Sequence, residues 1–359
     1  MKTRGAGRQS GFSLVELLVA MAIGLTVMSG VIQVLVASKS NFISERELAA
    51  LQENARFAVK FISDEVRMAG FQGCSATPLS TANSLNGSSG NWFLDGTGLQ
   101  GFEHESGILS FPVEFRSEVA ANTDAIVVRR GEHSGLVVAG NHNFNAANLP
   151  LNKQHSIKPG EILVMASGDC QQVAVFQVSG PTNASNNATN IVHNTGTGTP
   201  GNCTKFLGGN FNCNTAGSAV GLSFPKGSAV MRLHSEAFYV GASTADSSIP
   251  ALFHEVLGLT GTTASTRSEE LVQGVELMQI LYGLDGNGDR RADRYLKADA
   301  ALMDWSAVVS VRLFLRLRSL QPVYNNAEAF GTFQDIPGTD GADRYLRQVV
   351  TTTIQIRNG

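Results

Sequence analysis

Apolar residues run almost unbroken at the start of the chain and then thin into a stripe. The stretch FSLVELLVAMAIGLTVMSGVIQVLVA, from Phe12 to Ala37, carries one charge, Glu16. As a helix it would span about 39 Å, more than the roughly 30 Å apolar core of a bilayer. Beyond it Leu48, Leu51, Ala55, Ala58, Ile62 and Val66 recur at steps of three and four, which is one face of an amphipathic helix. Glu45, Arg46, Glu53, Arg56, Lys60, Asp64 and Arg67 fall mostly off that face. Residues 1 to 77 contain no Pro, and Gly70 offers a stop. One helix from about Phe12 to Ala69 is therefore predicted. Its half at 12–37 would cross a membrane or polymerise, and its half at 38–69 would form the spine of a head at 70–359.

The rest of the chain reads as strands separated by turn residues. ILSFPVEF from Ile108, DAIVVRR from Asp124, GEILVMAS from Gly160, CQQVAVFQV from Cys170, AVMRLHSEAFYV from Ala229 and ALFHEV from Ala251 are the clearest runs. Later, Val309, Val311, Leu313, Leu315 and Leu317 alternate with Arg312, Arg316 and Arg318, a period of two that predicts one buried and one wet face. The closing strand RYLRQVVTTTIQIRN puts Leu346, Val350, Ile354 and Ile356 on one side. The fold class is α+β, a long amino-terminal helix packed on a large, mainly antiparallel β-sheet head. Between Ser179 and Ser218, 26 of 40 residues are Gly, Asn, Ser or Thr, which predicts an exposed, mobile insertion.

Composition narrows the function. With 43% apolar residues among 359 the chain can bury one or two cores, and a net charge of -3 argues against a nucleic-acid partner. Seven His lie scattered without the i, i+4 spacing of a helical zinc site. Two G-x-G-x-x-G matches, at 96–101 and 196–201, lack the strand before and helix after that a dinucleotide site requires, so no enzyme is expected. Lys2, Arg4 and Arg8 precede the apolar block, which keeps the start cytoplasmic and exports the remainder. On the exported side Cys74, Cys170, Cys203 and Cys213 are disulfide candidates. Four cysteines allow three pairings; one of them staples the insertion through Cys203 and Cys213, leaving Cys74 to meet Cys170.

Glu16 is the anomaly, because a carboxylate within a bilayer costs at least about 2.5 kcal/mol and marks a functional residue by default. The residues around it, Gly11-Phe12-Ser13-Leu14-Val15-Glu16 followed by Leu17, Leu18, Val19 and Ala20, resemble the prepilin signal of type IV pilins and type II secretion pseudopilins. The resemblance implies that a prepilin peptidase cuts after Gly11 and methylates the new amino group on Phe12, while the apolar block is kept. It also implies that the Phe12 amine of one subunit pairs with the Glu16 carboxylate of its neighbour inside a fibre.

A second signal lies near residue 280. Asp285, Asn287, Asp289 and Asp293 stand at relative positions 1, 3, 5 and 9, a spacing that lets short oxygen-bearing arms converge on calcium. Arg290 and Leu296 occupy positions where a full calcium loop has Gly and Glu, and a cation-free Asx-rich turn is the alternative. Calcium is the one cofactor the sequence suggests. LVQGVELMQILYGLDGNGDRRADRY, MDWSAVVSVRLFLRLRS and TTTIQIRN look like the PilW group of minor pilins. That resemblance implies a pilin-like fold and a non-enzymatic subunit that primes type IV pilus assembly with other minor pilins and the major pilin, at the tip below an adhesin. It implies a single pass through the inner membrane with the head in the periplasm. A J-like minor pseudopilin of type II secretion and a calcium-dependent adhesive module are the alternatives.

Overall fold

Helix α1 (Leu14–Arg67) is a single rod of 54 residues, about 81 Å long. The structure, a computed structural model, describes residues 11, 13–74, 80–88, 91–94, 98–104, 107, 110–140, 142–181, 188–213, 220–334, 336 and 339–357. Every described residue from Gly11 to Lys39 is exposed, whereas Leu51, Ala55, Ala58, Ile62 and Val66 are buried against the head. The stripe continues to Leu48 in the sequence, but Leu48 is 42% exposed, because the head begins only beside the following turn. The helix stops at Arg67, and Gly70 turns the chain with φ +74°. A Cβ on Gly98 would stand 2.3 Å from the Cα of Gly70, so two glycines let strand and helix end touch.

The head begins with β1 (Ser80–Asn83), β2 (Leu99–Phe102), β3 (Ala125–Val137), β4 (Asn148–His155), β5 (Ile162–Ala166) and β6 (Gln172–Gln177). It continues through β7 (Ala188–Val192), β8 (Phe211–Asn212), β9 (Ala229–Ala242), β10 (Pro250–Thr260) and β11 (Thr263–Gln273). Last come β12 (Val275–Leu284), β13 (Arg294–Leu296), β14 (Val308–Arg318), β15 (Glu328–Phe330), β16 (Gly341–Asp343) and β17 (Arg347–Gln355). A nine-stranded sheet has the order β11-β10-β9-β5-β6-β1-β8, with β3 also on β9 and β2 on β3. A four-stranded antiparallel sheet has the order β13-β12-β14-β17. Apart from the parallel pairs of β1 with β6 and β8, the pairs in both sheets are antiparallel.

The central core joins α1 to one face of each sheet. Ile62 and Val66 of the helix meet Ile126, Phe238, Leu252, Met278, Leu313 and Ile354, and burying each such side chain is worth roughly 1.5–3 kcal/mol. A second core on the other face of the large sheet gathers Trp92, Phe115, Tyr239 and Phe253. A third, around Leu149, Phe176, Ile191 and Phe224, includes residues of β4 and β7.

Three expectations are corrected. Residues 110–115 are turn and loop, with Pro112 accepting the N–H groups of Phe115 and Arg116, since Pro cannot extend a central strand. The described part of 179–218 is exposed at 194–199 but packed elsewhere: β7 pairs with β4, Leu207 and Asn202 are buried, and the Asn202 side chain bonds both backbone groups of Gln177. Finally, the Arg face of β14 is not wet throughout. Arg316 is 6% exposed, paired with Glu276 at 2.8 Å and flanked by the rings of Phe330 and Phe333.

Candidate functional site

At the amino end, Ser13 caps α1. Its Oγ accepts the Glu16 N–H at 3.2 Å, and the Glu16 carboxylate accepts the Ser13 N–H at 3.1 Å, a reciprocal capping box. The Ser-x-x-Glu pattern at 13–16 is the sequence signal for this box. Gly11 is exposed, and Phe12 lies outside the described residues. Thus the only acid in the apolar half of the helix sits on its first turn. In a single chain its partner is the backbone N–H of Ser13.

At the other end, α1 is tied to the head by a chain of charges. Glu65 receives a two-pronged bond from Arg130 of β3, at 2.8 and 3.3 Å. His234 of β9 stands 3.7 Å from Glu65 and 3.2 Å from Glu236. Glu236, 2% exposed, also holds Nδ1 of His254 on β10, whose Nε2 reaches Glu269 at 3.0 Å. Burial works against the charged form of Glu236, but its bonds to His234 and His254 outweigh this and hold its carboxyl below the ordinary value. Burial likewise opposes charge on His254, and the two carboxylates raise it nonetheless. Glu65, His234 and Glu236 present ligand atoms within 4.8 Å of one another. The Glu65 oxygens are engaged by Arg130 and those of Glu236 by His234 and His254, so the group is a hydrogen-bonded latch between helix and sheet. The closeness of His234 and Glu236 follows from their i, i+2 spacing, but nothing in the sequence reveals Glu65 or His254.

Lesser ties run along the same seam. Glu47 accepts the N–H groups of Leu320 and Gln321, Asn54 donates to the Gln273 carbonyl, and the Arg357 N–H donates to the Arg67 carbonyl.

The candidate calcium loop closes on itself. Oδ1 of Asp285 accepts from the amides of Asn287, Gly288 and Asp289, and Oδ2 accepts from that of Arg290 at 2.7 Å. Asp293 accepts from the Gly286 N–H and from Nδ2 of Asn287. Asn287 therefore turns its NH₂ toward Asp293, and Asp289 bonds the Arg291 amide. The loop is thus an Asx-rich turn in which Asp285, Asn287, Asp289 and Asp293 all bond groups of the loop itself.

Of the four cysteines, Cys203 and Cys213 form a disulfide. Cys74 and Cys170, the other expected pair, stand side by side and unbonded. Burial, then contact with Cys170, pushes the Cys74 thiol up to about 12.

Comparison with known families matches two regions of the chain. Residues 7–32 match the prokaryotic N-terminal methylation motif, and residues 237–358 match type IV pilus-assembly protein W. No curated protein matches. Among solved structures the chain is similar to the type IV-like pilin TTHA1219 from Thermus thermophilus at 16% identity, covering 56% of this chain and 85% of that one, with a TM-score of 0.22. The fold assignment rests on the helix and sheets described above, not on that likeness.

Proposed function

From the match of residues 237–358 to type IV pilus-assembly protein W and of 7–32 to the methylation motif, we propose that the chain is a minor pilin of the PilW family that primes pilus assembly within a tip complex of minor pilins. It is a structural subunit, not an enzyme. Prepilin peptidase cuts after Gly11 and methylates Phe12, and the matched methylation motif at 7–32 supports this processing. Before assembly the subunit crosses the inner membrane once, with its start cytoplasmic and its head periplasmic. Afterwards it sits at the pilus tip beside other minor pilins and above the major pilin, where a tip adhesin docks.

The observation that carries the reading is the contrast along α1. Its first half is bare, apolar and marked by one carboxylate, while its second half is built into a head of two sheets. A rod that the chain itself leaves uncovered is made to be covered by lipid and then by neighbouring rods. Weak screening in such an apolar bundle strengthens the attraction between Glu16 and a neighbour's Phe12 amine.

The test uses two substitutions. Glu16→Gln keeps a residue competent for the capping box, whereas Glu16→Ala removes cap and charge together. Both should leave cleavage and head folding intact and lower the amount of the protein recovered in sheared pili by at least about tenfold, the factor that corresponds to roughly 1.4 kcal/mol. If Glu16→Gln is incorporated like the wild type, the charge pairing is refuted.

A further inference from the structure

Strand β17 is the open edge of the four-stranded sheet. It is 9 residues long, pairs with β14 in unbroken register from Arg318↔Arg347 to Ser310↔Gln355, and has no second partner among the described residues. The Ile356 N–H bonds the Val309 carbonyl. By the alternation of an antiparallel ladder, the even-numbered residues of β17 then bond β14, and the N–H and C=O groups of Val349, Thr351, Thr353 and Gln355 point outward. Edges like this are usually blunted by Pro, a bulge or a lysine. The sequence RQVVTTTIQ has none of these, and Val349 is 52% exposed.

Beside that edge runs a groove between β17 and α1. It consists of hollows of about 540 and 480 Å³ that share Arg67. Arg56, Lys60 and Arg67 line the helix side, and Arg290 and Arg357 close one end. The one acid on the groove, Asp64, is engaged by Lys60 at 2.5 Å and lies 3.9 Å from Arg67. No carboxylate pairs with Arg56, Arg290 or Arg357 among the described residues. This cationic lining stands out in a chain whose total charge is negative. On the helix, Arg56 and Lys60 are separated by about 6 Å of rise. Alternate residues of an extended strand are separated by about 6.8 Å.

We propose that this edge and groove together bind an extended, acidic segment of a partner protein. The segment adds to β17 as a further strand, its backbone meeting the outward N–H and C=O groups. Its side chains on the helix side, carboxylates at every second position, meet Arg56, Lys60, Arg67 and Arg357. Edge addition supplies affinity through main-chain bonds and specificity through alternate side chains, and here the specificity is charge. A second copy of this chain fits poorly, since pairing β17 with β17 would bring two cationic grooves together.

The probe is a fluorescein-labelled peptide of the same 9-residue length, alternating Glu and Val, added to the full chain in uncharged detergent micelles and followed by anisotropy. Saturable, salt-sensitive binding is expected. It should weaken about tenfold or more in the Arg67→Glu, Arg357→Glu double variant and vanish in Thr351→Pro, which removes an outward N–H of an edge strand and no ladder bond. Methylating alternate backbone nitrogens of the peptide gives the same loss without altering the protein, should Thr351→Pro disturb the fold. Absence of binding, equal binding of an alternating Lys and Val peptide, or indifference to both the charge reversal and the methylated peptide would overturn the proposal. So would self-association of the chain that Thr351→Pro abolishes, because it would assign the edge to a second copy.

Discussion

His142 and His193 are almost wholly buried, with rings 5.5 Å apart between Phe176 and Phe224. Their ring nitrogens have no hydrogen-bond partner among the described residues. Burial, then repulsion from His142, lowers His193 to about 3, and burial lowers His142 as well. Both are therefore neutral in the folded head near neutral pH. The unfolded chain takes up a proton on each below its ordinary value of 6.5, which the folded head refuses. The stability tied to His193 is complete above 6.5 and is lost as pH falls from there toward 3, at roughly 1.4 kcal/mol per pH unit. His193→Phe places an aromatic ring in an aromatic pocket and removes the titration. Urea unfolding of the full chain at several pH values should show the variant gaining on the wild type as pH falls from about 6.5 to 4. A difference that does not change with pH would refute the assignment.

At the scale of elements, the loop between β12 and β13 is held by Asp285, whose carboxylate gathers four backbone amides. Asp285→Ala leaves those amides without their acceptor and should lower the denaturant midpoint of the head. The same loss is expected in millimolar calcium and in chelator. Unfolding curves of the wild type that shift with calcium, and lose that shift in the variant, would restore a cation site. The loop also illustrates what a sequence discloses. Its alternating Asp and Asn mark a turn rich in side-chain to backbone bonds, but which amide each carboxylate gathers is not written in spacing. Helix α1 was legible because a stripe of period 3.6 and the absence of Pro are local signals. Strand β14 was legible through its period of two. Strand β11 was not, because TASTRSEELVQ is polar on both faces and is held mainly by pairing with β10. The Gly- and Asn-rich segment misled for a related reason. Its order comes from Cys203–Cys213, from Asn202 with Gln177 and from β4, partners distant in sequence. The latch from Glu65 through Arg130, His234, Glu236 and His254 to Glu269 joins five elements in the same way, and only the pair on β9 was within reach of pattern reading.

At the scale of the whole molecule, one helix serves two bodies. Below Lys39 it has no contact that buries a side chain, and above Leu51 it completes a core shared by both sheets. If folding of the head draws only on the upper half, substitutions along the same helix must separate into two classes. Ile62→Ala removes a fully buried side chain from the meeting point of helix and sheets and should destabilise the head by roughly 2–5 kcal/mol. Leu25, 71% exposed, touches none of that core, so Leu25→Ala should leave head unfolding within about 0.5 kcal/mol of the wild type. Chemical denaturation of the full chain in micelles, read from the near-ultraviolet signal of Trp92 and Trp305, measures both. Equal losses would mean that the bare half contributes to the stability of the head, and an undisturbed Ile62→Ala would mean that the helix is not seated on it. The predicted separation lets assembly act on the lower half without unfolding the upper. Under the proposed function, the rod would pass from lipid to neighbouring rods while the latch at Glu65, Arg130, His234 and Glu236 holds the head in place.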